Sequence, residues 1–380
     1  MRNRAYKRGA DTAMITLFVV LPLAGAILLG GSGGMVEALS RAAASSVSIA
    51  LPEAAVGAMN EHMQSVVGEG ETIPLLPPEP QENDAQPDEP PPEPVYDEED
   101  VVAANALVPA ERRGTIEQTQ YLANPSGEIY FAYGALSVRN STEYANNEML
   151  AAASEAPAYN IELNSDKPQV LIVHTHSTES FDRFDAGFYD SEYPTRSTDS
   201  ERNIVAVGEA LTQKLNALGI NTVHASEYHD YPSYNNAYSR SAETIKSYLA
   251  QYPSITVVLD VHRDGIQRED GTRLKPTAII DGEKAAQIMI VCGAGDETDA
   301  VPGFRENLKF AARLGDSAER LHPGLVRPVL FTYRHYNQDL TNASLLLEVG
   351  SESNTLGEAK RAAQLFADAL FETLSAPQSR

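Results

Sequence analysis

Two imidazoles and a carboxylate stand at the end of one short apolar run, Val170-Leu171-Ile172-Val173-His174-Thr175-His176-Ser177-Thr178-Glu179. Side chains alternate along a strand, so His174 and His176 are expected on one face if the strand runs that far. Glu179 follows His176 by three residues, a spacing that lets an imidazole and a carboxylate converge from a strand end and its turn. A second junction of the same kind lies at Ile255-Thr256-Val257-Val258-Leu259-Asp260-Val261-His262-Arg263-Asp264. Either histidine alone would read as a polar cap on a strand. Two such junctions with a carboxylate read as a metal site: His176, Glu179 and His262 with a water are the ligand set of a hydrolytic zinc centre. Whether His174 takes part stays open at this point.

Glu348 follows Leu345-Leu346-Leu347 at the expected end of a strand. A carboxylate there is costly to bury without a partner. It is expected to be a catalytic proton carrier, with a salt bridge to Arg240, Arg263 or Arg327 as the structural alternative. Arg263 is placed either to bind an anionic or carbonyl oxygen or to pair with an acid. Asp264 is a candidate to orient an imidazole. Glu201, just before a helix, is a second candidate ligand, although a first-turn acid there also suits the helix dipole. Tyr336-Asn337-Gln338 suits sugar or peptide hydrogen bonding, or a solvated loop.

The elements that must position these residues alternate strand with helix from Lys167 onward, which predicts an α/β domain with a mostly parallel sheet covered by helices. Ligand sites in such sheets lie at the C-terminal ends of the strands. An apolar stripe at Ile204, Val207, Leu211, Leu215 and Leu218 predicts a helix over 203–218. Further helices are expected over 234–249, over 304–314 with Gly315 as the stop, and over 356–374. Strands are expected at 222–223, 255–261 and 345–350, and a hairpin of 277–280 with 287–291 turning at Asp281-Gly282.

The N-terminal region reads differently. Residues 1–13 carry Arg2, Arg4, Lys7 and Arg8, and residues 14–31 are nearly all apolar. Eighteen residues at ~1.5 Å each reach about 27 Å, close to the hydrocarbon thickness of a bilayer. The basic flank predicts a cytoplasmic tail, so 14–31 is expected to be an uncleaved anchor and the rest extracytoplasmic. A cleaved signal peptide is the competing reading. Residues 32–104 are expected to be a disordered linker. Nine prolines fall between Pro74 and Pro94, ten acids between Glu79 and Asp100, and no Lys or Arg between Ala42 and Ala110. Residues 105–160 form an approach segment, and 161–380 the globular domain. The net charge of −24 argues against a nucleic-acid role. The single cysteine, Cys292, excludes an intrachain disulfide framework and reads as a small buried hydrophobe.

Four segments taken together resemble the stage II sporulation protein P family. They are His174-Thr175-His176-Ser177-Thr178-Glu179-Ser180, Asp260-Val261-His262-Arg263-Asp264, Tyr336-Asn337-Gln338-Asp339-Leu340, and Leu347-Glu348-Val349-Gly350 with Asn354-Thr355-Leu356. The resemblance covers roughly residues 165–375, and the anchor and acidic spacer also resemble that family's arrangement. It implies a zinc-dependent N-acetylmuramoyl-L-alanine amidase, with endopeptidase activity besides, acting on peptidoglycan during spore engulfment. It implies a fold akin to zinc amidases and carboxypeptidases, and partners such as stage II sporulation protein D and other engulfment proteins. The amidase pattern points to Glu201 as the carboxylate ligand and the carboxypeptidase pattern to Glu179. The expected site is Zn²⁺ on His176, Glu179 and His262, with Glu348 as general base and Arg263 beside the oxyanion. A non-catalytic, membrane-anchored wall-binding scaffold is the rival reading.

Overall fold

The apolar runs of the C-terminal part lie side by side in one mixed sheet. The computed structural model describes residues 96–376, apart from 158, 160 and 296–299. These fall in one compact unit, Asn83–Arg380. Along the chain come α1 (Glu98–Leu107), β1 (Arg113–Thr119), β2 (Tyr130–Tyr133), β3 (Leu136–Asn140), α2 (Asn146–Ser154) and β4 (Val170–Val173). Then follow β5 (Phe188–Asp190), α3 (Ile204–Ala217), β6 (Thr222–His224), α4 (Ala237–Gln251), β7 (Val257–Asp264), β8 (Arg273–Ile280) and β9 (Glu283–Ala286). The last elements are β10 (Ile288–Gly293), α5 (Phe304–Leu321), β11 (Val329–Thr332), β12 (Ser344–Ser351) and α6 (Leu356–Ser375).

The main sheet runs β2-β3-β11-β10-β12-β7-β4-β6. Its β12, β7, β4 and β6 are mutually parallel, whereas β10 is antiparallel to β12 and β2 to β3. A second sheet, β5-β1-β8-β9, adjoins it. The α/β class is as expected, but the sheet is mixed and there are two of them.

Strand parity divides the chemistry from the core. Val257, Leu259 and Val261 of β7 and Leu345, Leu347 and Val349 of β12 join the large core under α3, α5 and α6. Leu171, Val173 and Val258 pack on the opposite face with Ile245 of α4. Asp260, His262 and Glu348 therefore point to the α4 side, and Glu348 stands directly opposite His262 in the β12–β7 register. Parallel strands buried on both faces read as continuous apolar runs, as Val170–Val173 does.

Several expectations are corrected. The partner of β8 across the Asp281-Gly282 turn is β9, with Ile280 opposite Glu283. Both turn residues have φ near the left-handed region, 53° and 81°, as a two-residue hairpin demands. The apolar run after it leaves that hairpin and enters the main sheet as β10. The helix over 304–314 does not stop at Gly315 but continues to Leu321. Gly315 serves close approach instead: a Cβ there would sit 2.5 Å from Leu136 Cδ2. Residues 105–160 are more than an approach, since β3 extends the main sheet beside β11 and β1 pairs with β8. Residues 98–104, expected at the end of the linker, are helical, with Asp97 capping the Asp100 amide. The tail over 1–13, the anchor over 14–31 and the linker up to residue 95 lie outside the described residues. Among the described residues no helix is long and apolar enough to cross a membrane.

Candidate metal centre and active site

β4 ends at Val173, and a turn over 175–178 follows. That early end separates the two histidines expected on one face. His174 points into the α3 side, where Nδ1 lies 2.7 Å from the Val261 carbonyl and Nε2 lies 2.8 Å from His224 Nε2. Burial and the neighbouring His224 pull its pKa down to about 3, so it stays a neutral structural group. The turn carries His176 back over the strand ends, with the Glu179 amide donating to its carbonyl.

His176, Glu179 and His262 meet there, each offering a ligand atom within 4.8 Å of the others. Glu179 Oε1 is 3.4 Å from His176 Nδ1, and Oε2 is 3.5 Å from His262 Nδ1. The Arg263 amide donates to Oε2 at 3.1 Å. Burial alone would raise the pKa of Glu179, but hydrogen bonds from His176 and His262 and the charges of His262 and Arg263 hold it well below the carboxylate range. Glu201, the other candidate ligand, is exposed in the turn before α3 and lies outside this cluster.

Asp260, two residues before His262 on the same face, orients it. Its Oδ1 is 2.9 Å from His262 Nε2 and 2.8 Å from the Thr175 amide, and Oδ2 accepts from Thr175 Oγ1 at 2.6 Å. Burial acts to lower the pKa of His262, but Asp260 and Glu179 overcome it and hold the imidazole protonated, well above its usual range. The donor set suits a cation: a proton on His262 already stands between two buried carboxylates. Asp260 lies against Nε2, which leaves Nδ1 as the ring atom facing Glu179 and available to a cation. Asp264, the acid expected to orient an imidazole, instead accepts from Arg327 at 2.9 Å.

Glu348 is half-buried beside this group, and its Oε2, shielded from solvent, has no hydrogen-bond partner among the described residues. Burial and the nearby Asp264 push its pKa up to about 8, against the opposing pull of His262. None of the three arginines considered as its partner pairs with it. Arg327 is taken by Asp264, and Arg240 donates to the carbonyls of His229 and Ser233. Arg263 donates to the carbonyls of Ser180, Asp264 and Thr195, so its buried guanidinium holds loops and does not face the site. The oxyanion role expected of Arg263 is therefore not supported by its placement.

Asn337 and Gln338 are also structural. Gln338 accepts from the Gly293 amide and donates to the Val291 carbonyl, and Asn337 bonds the Tyr238 carbonyl and Ser241 Oγ. Tyr238, next to Tyr336, makes an edge contact with His176. Cys292 is buried, and that burial pushes its thiol well up, as a structural residue requires.

Sequence reasoning missed Asp260, Arg196, Asp230 and Tyr234. Tyr234 stacks on His176 with centroids 4.7 Å apart, and Arg196 lies over the Tyr234 ring at 4.8 Å. Alternation with His262 could have disclosed Asp260. The other three sit on irregular loops and carry no periodic signal.

A family model of stage II sporulation protein P (SpoIIP) matches residues 89–371. The chain belongs to the stage II sporulation protein P family. The match begins well before residue 165 and takes in α1 and β1–β3. The stage II sporulation protein P of Bacillus subtilis (strain 168) is 33% identical over 218 residues, 54% of this chain and 51% of that protein. The chain thus spans about half the length of that curated relative. Among solved structures, N-acetylmuramoyl-L-alanine amidase AmiC2 of Nostoc punctiforme covers 55% of this chain and 96% of its own at 12% identity, with a TM-score of 0.32. The CwlD amidase of Clostridioides difficile, solved with the GerS lipoprotein, covers 54% and 96% at 11% identity and a TM-score of 0.33. Superpositions that loose carry no argument about chemistry.

Proposed function

We propose that this chain is a zinc-dependent cell-wall hydrolase that cleaves the amide between the lactyl group of N-acetylmuramic acid and L-alanine in peptidoglycan. The observation that carries this reading is the convergence of His176, Glu179 and His262 with a half-buried Glu348 directly opposite His262, whose shielded Oε2 has no hydrogen-bond partner among the described residues. His176, Glu179 and His262 would hold the metal and leave a fourth position open. Zinc, when bound, lowers the pKa of a water from ~15.7 to about 7 and polarises the scissile carbonyl.

The chain's own groups do the rest. Asp260, 2.9 Å from His262 Nε2, places a carboxylate charge behind the ring. Glu348 takes a proton from the attacking water at its free carboxyl oxygen and returns it to the leaving amine. A carboxyl with a pKa near neutrality is suited to both transfers, and a cation at the neighbouring ligands pulls it down toward the base form. Tyr234 and Tyr238 flank His176 and narrow the approach of solvent.

Membership of the stage II sporulation protein P family supports a role in spore formation. The remaining parts of the proposal rest on the sequence: an anchor over 14–31, an extracytoplasmic domain, and an acidic spacer that lets the domain reach an insoluble wall. Stage II sporulation protein D and other engulfment proteins are the proposed partners. Digestion of purified peptidoglycan followed by mass spectrometry of the products tests the reading. New L-alanine amino termini and peptide-free glycan strands are the expected result. Cleaved cross-links with intact muramoyl amides would make it an endopeptidase, and wall binding without products would make it a scaffold.

A further inference from the structure

We propose that Arg196, seated on Tyr234 at the rim of the candidate site, is a specificity residue that binds a free carboxylate of the substrate's peptide. The inference rests on the reading of the chain as a muramoyl-peptide hydrolase and names a determinant which that reading lacks. Arg196 faces Glu179 across an antiparallel bridge. The Ser180 amide bonds the Thr195 carbonyl at 3.0 Å, and the Ser197 amide bonds the Thr178 carbonyl at 2.7 Å. The backbone of Arg196 is therefore locked to the turn that carries the ligand, and its side chain lies on the same side as the Glu179 carboxylate.

Its guanidinium has a fixed edge and a free one. Nη1 is held by Asp230 Oδ2 at 2.6 Å and by Thr178 Oγ1 at 3.2 Å. Asp230 is itself fully buried and also accepts from the Thr178 amide and hydroxyl. Nη2 reaches only Glu179 Oε1 at 3.5 Å, the outer limit of a hydrogen bond. The side chain remains 38% exposed. The Tyr234 ring, itself stacked on His176, lies with its centroid 4.8 Å from the Arg196 guanidinium carbon. A planar fork with one edge anchored and the other open suits a carboxylate. Arg263, by contrast, has its guanidinium committed to backbone carbonyls.

Charge argues for the same ligand. The chain carries a net charge of −24 and repels anions in general, so an anionic peptide needs a local cation to enter. A peptide joined to muramic acid through L-alanine continues with D-glutamate linked through its side chain, which leaves an α-carboxylate beside the scissile bond. Arg196 is a guanidinium beside the ligand cluster with donors to spare for it.

The test uses the full-length, zinc-loaded chain and two probes: N-acetylmuramoyl-L-alanyl-γ-D-glutamyl-L-lysine and its α-carboxamide counterpart. Hydrolysis by wild type is compared with hydrolysis by Arg196→Gln and Arg196→Lys, with zinc content measured on each. Binding of both probes is measured by calorimetry in a Glu348→Gln background, which does not require turnover. A charge-assisted contact predicts about a 10- to 100-fold preference for the acid, residing in KM and in binding. That preference should fall toward unity in Arg196→Gln and be partly kept in Arg196→Lys, with zinc retained. Equal binding of the two probes, binding of neither, or a preference that survives Arg196→Gln overturns the proposal. Loss of zinc in Arg196→Gln also overturns it, by making Arg196 a support for Glu179. Absence of turnover with the binding preference intact would defeat the proposed reaction and leave the carboxylate site standing.

Discussion

At the first turn of α6, the ammonium of Lys275 lies 2.5 Å from Asp185 and 3.0 Å from Glu358, and Lys284 lies 2.6 Å from the other oxygen of Asp185. At the ends of β4, β7 and β12, His176, Glu179, His262, Asp260 and Glu348 are gathered with comparable burial. The first cluster closes on itself: each charge has an opposite charge in contact, and Asp185 also accepts the Asp97 amide. In the second, three ligand atoms aim at one another, His262 is held charged by its neighbours, and Glu348 keeps an unpartnered oxygen. Both clusters bear the desolvation cost of buried charge. In the first, every carboxylate has an ammonium in contact, whereas Glu348 in the second has no cation in contact among the described residues. Burial and charge together therefore do not identify a functional site; ligand atoms converging beside a carboxylate with no cation in contact point to one.

The contrast breaks first at the second cluster. His262→Ala removes one of the three proposed metal ligands and should abolish both bound zinc and hydrolysis while the fold persists. Atomic absorption and circular dichroism on one preparation check this, and zinc retained at full occupancy would count against the ligand assignment. The saturated cluster should respond in the opposite sense. Lys275→Met strands Glu358 in a buried site and leaves Asp185 with Lys284 alone, with an expected loss of about 3–5 kcal/mol in urea unfolding. The protein that remains folded should hold zinc normally.

A smaller, graded effect concerns His174. Folded, it is neutral with a pKa of about 3, whereas the unfolded chain takes up a proton below ~6.5. The unfolded state therefore binds more protons below pH 6.5, and stability is lost as pH falls from there toward 3. The slope from this group approaches about 1.4 kcal/mol per pH unit. Unfolding free energies at pH 7.5, 5.5 and 4.5 should fall in that order. His174→Gln should flatten the decline, and an unchanged slope would show that His174 is not the group responsible.

The parts of the site that were legible share one cause. His262 and Glu348 interrupt or end apolar runs and His176 and Glu179 follow the end of one, and a polar group there must be satisfied by something. Of the two acids flanking His262 on its face, Asp264 drew notice but Asp260 does the orienting. The choice depends on where β4 ends and hence on which acid meets Thr175. The single face expected for His174 and His176 failed for the same reason, because nothing in Val173-His174-Thr175 marks the strand's last residue. Arg196 and Tyr234 come from loops whose positions are fixed by Asp230 and by a backbone bridge, neither of which has a sequence period. β1, Arg113–Thr119, has no apolar alternation. It was unreadable because its place is set by long-range pairing with β8 and β5. β3 joined the main sheet through β11 in the same way.

The central claim is that Glu348 is left unpaired because it carries a proton in the reaction. Glu348→Gln keeps the shape of the side chain and removes the carboxyl. Zinc content, melting temperature and peptidoglycan hydrolysis should be measured on the same preparation. Stoichiometric zinc, an unimpaired melting temperature and a rate reduced by about 10²–10⁴ are the expected results. Zinc lost in proportion to activity would make Glu348 a ligand. A rate within about threefold of wild type with zinc retained would contradict the claim outright.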